Sequence, residues 1–108
     1  MKEWVPHFRD MLDFAERARA MAKASGNEEI RKLALERALE LMGEAAKRIP
    51  RDLQPEWPDI PWKDMIDLRN VLSHEYEVLS LHKLENVAIV DVPPIIEAIQ
   101  KILAEHAE

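Results

Sequence analysis

The stretch SGNEEIRKLALERALELMGEAAKRIP, residues 25–50, predicts an amphipathic helix with a marked start and end. Gly26 can take the left-handed conformation that ends a preceding helix, and Ser25 or Asn27 can cap the next one. Apolar residues then recur at three- and four-residue steps, which predicts a helix from Glu28 to about Arg48. Its apolar face consists of Leu35, Ala38, Leu39, Met42, Ala45, Ala46 and Ile49.

The same periodicity predicts three further helices on either side of this segment. One runs from about Val5 to Ala24, one opens at Pro61 and extends toward Tyr76, and the last starts at Pro93 and Pro94. Proline suits the first position of a helix. Their apolar stripes are Trp4, Phe8, Met11, Leu12, Ala15 and Ala18; Trp62, Met65, Ile66, Leu68 and Leu72; and Ile95, Ile96, Ile99, Ile102 and Leu103.

The remaining segments connect these helices. Residues 50–61 hold four prolines, which prevent a helix from continuing, and we expect a packed connector there. Residues 79–84 are expected to form a loop or a short turn. Residues 87–90, Val-Ala-Ile-Val, are the one strand-like run.

Composition favours a single all-α domain over residues 1–108, an antiparallel bundle of four main helices. The chain has 108 residues with two glycines, and 47% of them are hydrophobic. The lack of cysteine excludes disulfides and thiolate zinc sites. No apolar run approaches the roughly 20 residues that span a bilayer, and the N-terminus lacks a signal-like stretch. We therefore expect a cytoplasmic protein with no membrane partner.

The balance of charge argues against a general nucleic-acid coat protein. Fifteen basic and 21 acidic residues give a formal net charge of −6. A local basic site remains compatible with this total. Glu36, Glu40 and Glu44 lie four apart and suggest either metal ligands or a solvated acidic face, and the second is favoured because no histidine has the complementary spacing on this helix.

Residues 69–76, Arg-Asn-Val-Leu-Ser-His-Glu-Tyr, are the strongest candidates for chemistry. Histidine moves protons near neutral pH, and arginine can hold the charge that grows on a phosphate during its transfer. The alternatives are structural: His74 as a residue that stabilises a helix end, and Arg69 as half of a salt bridge with Asp64 or Asp67.

Helix geometry constrains how these residues can act together. Asn70 and His74 are four apart and share a face, as do Arg69 and Tyr76, which are seven apart. Arg69 and His74 are separated by about 140° on an ideal helix. Either the helix ends near His74, or the working site pairs residues from two copies of the chain.

Several motifs in order make the chain resemble the HepT-like family of the HEPN superfamily over nearly its whole length. They are Leu41-Met42-Gly43-Glu44-Ala45 with Lys47-Arg48-Ile49-Pro50, then Trp57-Pro58-Asp59-Ile60-Pro61-Trp62, Met65, Asp67, Arg69-Asn70-Val71-Leu72, His74-Glu75-Tyr76 and Pro93-Pro94. Two departures are Ser73, where the family often has an apolar residue, and Glu77-Val78, where it often has an aromatic residue and glycine.

The resemblance implies an all-helical homodimer and a metal-independent endoribonuclease without a cofactor. A ribose 2′-OH would attack the neighbouring phosphate at a site shared by two chains. On this implication His74 is the general acid or base, Arg69 stabilises the phosphate, and Asn70 orients His74 or the scissile phosphate. Lys47, Arg48 and Lys63 are candidate RNA-binding residues, with Arg51 considered beside them and solvated surface as the alternative.

The resemblance also implies a biological setting, the toxin of a HepT/MntA-type (type VII) toxin–antitoxin pair. The partner would be a minimal nucleotidyltransferase antitoxin that transfers AMP to Tyr76 and so silences the toxin. Two other interpretations stay open. One is a catalytically weak helical module whose main role is to bind that nucleotidyltransferase, which the acidic composition favours. The other is a plain helical bundle with a structural His74.

Overall fold

A computed structural model describes residues 2–74 and 79–106 of the chain. Its helices are α1 (Val5–Lys23), α2 (Glu28–Lys47), α3 (Trp62–His74), α4 (Leu81–Asn86) and α5 (Val92–Glu105), with a 3₁₀ turn at Gln54–Glu56 and a π-helical stretch at Val87–Asp91. The described residues contain no strand, which confirms the prediction of an all-helical fold.

The turn between α1 and α2 follows the chemistry of its residues. Gly26 has φ +128°, a conformation that side chains with a Cβ rarely adopt. The side-chain oxygen of Asn27 accepts a hydrogen bond from the backbone N–H of Ile30 at 3.1 Å and so caps α2. Since the connection is short, the two helices pack against each other as an antiparallel hairpin.

The strand-like segment is helical, so the expectation for residues 87–90 was wrong. Pro93 and Pro94 lack the N–H groups that would bond the carbonyls four residues earlier. The chain widens into a π-helix instead, in which the N–H of Val92 donates to the carbonyl of Val87, five residues back. The expected loop at residues 79–84 is also partly wrong, because α4 begins at Leu81. From α4 to α5 the helical backbone is continuous, which makes this segment the fourth main helix.

The core forms between α2 and the helices on either side of it. α2 packs against both α1 and α3, and α5 packs against α1. The largest side chains that the core buries completely are Phe8, Met11, Leu35, Leu39, Met42, Ile49, Leu84, Ile99 and Val92. Of the residues in α3, only Met65 is fully buried. α3 is therefore a helix attached to the bundle by one side.

An aromatic cluster fixes the connector and the start of α3. The ring of Trp57 lies 4.8 Å from Trp4 and 5.0 Å from Phe8, and Trp62 lies 6.0 Å from Phe8, all edge to face. The indole N–H of Trp62 donates to the carbonyl of Trp57 at 3.1 Å. The three tryptophans are thus packing residues.

A partly buried ion pair joins the start of α2 to α4. Nη2 of Arg31 lies 2.5 Å from Oε2 of Glu85, and the two side chains are only 15% and 27% exposed. The same nitrogen reaches the carbonyl of Ala22 at the end of α1. Three helices therefore meet at Arg31.

In the part of the chain that the structure describes, no helix combines the length and the apolar character needed to cross a membrane.

Candidate active site on helices α2 and α3

Arg69 lies where α3 crosses α2, with its guanidinium held on two sides. Nε donates to Oε2 of Glu44 at 2.6 Å, and Nη1 donates to Oδ1 of Asn70 at 3.0 Å. The side chain of Arg69 is 20% exposed. An arginine held in this way is fixed in position, while its guanidinium carries three further N–H groups. The structural alternative of a salt-bridged Arg69 is confirmed, but the carboxylate partner is Glu44 of the neighbouring helix rather than Asp64 or Asp67.

Gly43 makes this crossing close enough for the contact. A Cβ built on Gly43 would lie 2.5 Å from Cβ of Arg69 and 2.7 Å from the carbonyl oxygen of Met65. A Cβ essentially never approaches other heavy atoms closer than 3.0 Å, so a side chain here would push α3 away from α2. Glycine in the middle of a helix lowers its stability, and the close approach of α3 explains its presence in α2.

A second hydrogen bond between the helices lies about one turn further along. Oγ of Ser73 donates to Oε2 of Glu40 at 3.0 Å, and Oε1 of Glu40 accepts from Arg37. Glu40 and Glu44 therefore hold α3 in place, a role that neither interpretation of the acidic stripe contained. Glu36 instead lies 3.6 Å from Lys32. Within residues 2–74 and 79–106, no three His, Cys, Asp or Glu side chains are grouped to hold a metal ion.

Asn70 and His74 lie in the second half of α3. His74 is the last described residue of α3 and is exposed. Because α3 is helical through both positions, Arg69 and His74 are about 140° apart around its axis, and Asn70 lies four residues before His74. The oxygen of the Asn70 amide faces Arg69, since a guanidinium can only donate. Tyr76, the expected AMP acceptor, lies outside the described residues.

The expected RNA-binding residues Lys47, Arg48 and Lys63 lie together, and Arg51 joins them. They line a groove of about 680 Å³ between the end of α2 and the start of α3. Nζ of Lys63 lies 2.5 Å from Oδ2 of Asp67. This hydrogen bond and the negative charge of Asp67 raise the pKa of Lys63, so the ammonium stays charged.

Gly43, Glu40 and Glu44 position the candidate site, a role that was not predicted from the sequence. One feature of the sequence could have indicated this role. Gly43 lies inside a long predicted helix, where glycine is unfavourable, and Glu44 follows it directly. Periodicity predicts which residues share a face of α2, but it does not predict which helix packs against that face.

Comparisons with known proteins identify the family of the chain. The family model described as "Ribonuclease HepT-like" matches residues 8–102. A Methanocaldococcus jannaschii protein named "Putative RNase MJ1380" is 39% identical over 69 residues, which cover 64% of this chain and 63% of that protein. The "Probable ribonuclease HepT" of Thermococcus cleftensis is 36% identical over 66 residues, 61% of this chain and 60% of that protein. The matched region thus spans less than two thirds of these relatives, and no solved structure matches the chain.

Proposed function

The chain belongs to the HepT-like ribonuclease family, and from this premise we propose that it is an endoribonuclease with Arg69, His74 and Asn70 as catalytic residues. The observation that carries the proposal is the fixed guanidinium of Arg69. Glu44 and Asn70 hold it in a partly buried position on the helix that also presents an exposed His74. Phosphodiester cleavage needs a preorganised cation and a proton-transfer group, and α3 carries both.

The proposed reaction uses the ribose of the substrate as nucleophile. The 2′-oxygen forms a bond to the neighbouring phosphorus, the bond from phosphorus to the 5′-oxygen breaks, and a cyclic phosphate and a 5′-OH result. His74 takes the proton of the 2′-OH or supplies one to the leaving 5′-oxygen. Arg69 stabilises the negative charge on the phosphate oxygens through paired N–H donors. Asn70 orients Arg69 through its amide oxygen, and its amide nitrogen can donate to the scissile phosphate.

We propose that the working site is formed by two copies of the chain. Arg69 and His74 diverge by about 140° on one helix, so a second protomer has to bring a histidine beside each arginine. α3 packs chiefly against α2, and its residue Val71 remains partly exposed. A two-fold contact along α3 would bury Val71 and would bring two Arg–His pairs into one cleft.

The proposed biological role is that of a type VII toxin in the cytoplasm. Its antitoxin would be a minimal nucleotidyltransferase that adenylylates Tyr76. Tyr76 follows Arg69 by seven residues, so a continuing helix would place both on one face. An AMP group there would bring a phosphate to the guanidinium that the RNA phosphate needs, and the modified protein would be inactive.

The chemistry of the cleaved ends tests the proposed function. An RNA oligonucleotide that is cut by the wild-type protein should yield 3′ ends as cyclic phosphates and free 5′-OH ends. The same oligonucleotide with a single 2′-deoxyribose at the cut position should resist cleavage there, because the nucleophile is missing. Cleavage at the 2′-deoxy position would exclude 2′-OH attack.

A second candidate function is a binding module for the nucleotidyltransferase with little nuclease activity. The net charge of −6 favours it, since RNA is a polyanion. The two candidates differ in cells. If the protein is a ribonuclease toxin, His74→Ala and Arg69→Ala should no longer inhibit growth. If it is a binding module, both variants should affect growth as the wild type does.

A further inference from the structure

The groove between the end of α2 and the start of α3 concentrates positive charge in an acidic protein. Lys47, Arg48, Arg51 and Lys63 all line it and are all exposed. The one carboxylate among its lining residues is Asp67, which is engaged with Lys63. The positive charges of Lys47, Arg48 and Arg51 are therefore not neutralised by a carboxylate that lines the groove.

The groove also has an apolar wall and a fixed turn. Ile49, Pro50, Trp62 and Ile66 line it beside the cations. Nε2 of Gln54 donates to the carbonyl of Ile49 at 3.1 Å and so ties down the turn that carries Arg51. Cations beside apolar surface are typical of sites for single-stranded nucleic acid, where the backbone meets charge and the bases or sugars meet side chains.

The position of the groove relative to Arg69 follows from both helices. On α2, Lys47 and Arg48 follow Glu44 by three and four residues, one helical turn beyond the partner of Arg69. On α3, Ile66 precedes Asn70 by four residues and His74 by eight, so all three lie on one side of the helix. The groove therefore lies about one helical turn from Glu44 on α2 and from Asn70 on α3.

We propose that this groove binds the phosphodiester backbone of the RNA strand next to the scissile phosphate. Arg48, Arg51 and Lys47 hold the phosphates, and the wall formed by Trp62 and Ile66 receives a base or a ribose. The inference rests on the proposed ribonuclease function and names the part of the chain that engages the substrate. It also explains how a chain with a net negative charge can hold RNA at one place.

Binding should be measured separately from cleavage. The background is His74→Ala, which the proposed mechanism makes inactive, and the probe is a fluorescein-labelled single-stranded RNA followed by anisotropy at several salt concentrations. Arg48→Ala/Arg51→Ala in this background should remove two phosphate contacts. The slope of log K against log salt should fall by about 1.4, and binding at 0.1 M salt should weaken roughly twenty-fold.

The matched control is Arg17→Ala/Lys23→Ala, which makes the same change in net charge near the end of α1. Both residues are exposed and lie at the opposite end of the α1–α2 hairpin from the groove. This variant should keep the salt slope and the affinity. Equal losses in the two variants, or no loss in either, would overturn the groove as an RNA site. So would unchanged RNA affinity together with loss of binding to the nucleotidyltransferase, which would assign the groove to a protein.

Failure of this inference can be told apart from failure of the proposed function. If the wild type does not cleave RNA but binding still depends on Arg48 and Arg51, the ribonuclease proposal is wrong and the groove remains an RNA site. If the wild type cleaves and His74→Ala does not, while the groove variant binds normally, only the groove is wrong.

Discussion

Gly43 of α2 and Arg69 of α3 are in backbone-to-side-chain contact, with 2.5 Å between Cβ of Arg69 and the place where a Cβ of residue 43 would be. The contact sets the distance between the two helices at the position of the candidate catalytic arginine. The next residue of α2, Glu44, then reaches Nε of Arg69. Two adjacent residues of one helix thus determine where the guanidinium lies.

Gly43→Ala should reduce both stability and activity. Alanine favours a helix by up to about 1 kcal/mol over glycine, but overpacking at a tight contact costs about 1–3 kcal/mol. We expect a net loss of stability on the order of 1 kcal/mol by denaturant unfolding, and a larger relative loss of RNA cleavage because α3 is displaced.

The other glycine gives the control. Gly26→Ala has open space around the new methyl group but places alanine at φ +128°, so it should also destabilise the fold. Its cleavage rate per folded molecule should stay at the wild-type value. If Gly43→Ala is as active as Gly26→Ala, the contact does not position Arg69.

Glu44→Ala should lower the cleavage rate by roughly ten- to a hundred-fold, because the guanidinium of Arg69 loses the group that orients it. Glu44→Gln keeps an oxygen acceptor in place and should recover part of the rate. Glu36→Ala, on the same stripe but 3.6 Å from Lys32, is the matched control and should be close to wild type. A Glu44→Ala protein with the wild-type rate would show that Glu44 does not position Arg69.

Mixing two inactive variants tests the shared site. Arg69→Ala and His74→Ala homodimers should each be inactive, but a mixed dimer contains one arginine and one histidine that can face each other across the interface. We expect cleavage to reappear after the two proteins are unfolded together and refolded, at up to about half the wild-type rate per mixed dimer. Absence of activity in a verified mixed dimer would show that both groups must come from one chain.

Glu85→Ala should destabilise the fold by about 1–3 kcal/mol, since it leaves the partly buried charge of Arg31 without its carboxylate. The loss should appear as a lower midpoint of urea unfolding. Asp13→Ala breaks the exposed pair with Arg17 and serves for comparison, with an expected change below about 1 kcal/mol. Equal effects of the two substitutions would mean that burial of the Arg31 pair adds nothing.

The ends of helices were predicted well where glycine, capping residues or prolines mark them. The predicted ends of α1 and α2 differ from the observed ends by one residue each, because Gly26, Asn27 and the proline connector mark them clearly. Residues 87–90 misled the prediction because β-branched residues suggest a strand. In the fold, Ala88 and Val92 are buried in the core four residues apart, the spacing of one helix face, which strand propensity does not report.

The candidate site could be predicted only in part. The motif identified Arg69, Asn70 and His74, and their spacing gave their angular separation. The partner of Arg69 depends on which face of α2 meets α3, and periodicity within one helix does not contain that information. Lys47 and Lys63 are 16 residues apart, and the proline connector that brings them to one groove has no regular geometry to extrapolate.

The most direct test of the central claim is cleavage of a mixed RNA sample by purified wild type, His74→Ala and His7→Ala, each in an excess of chelator. His7 lies on α1 and has no role in the proposed chemistry. We expect cleavage by wild type and His7→Ala and none by a folded His74→Ala, because Arg69 and His74 supply the charge and the proton transfer. Equal cleavage by all three proteins, or none by the wild type, would contradict it.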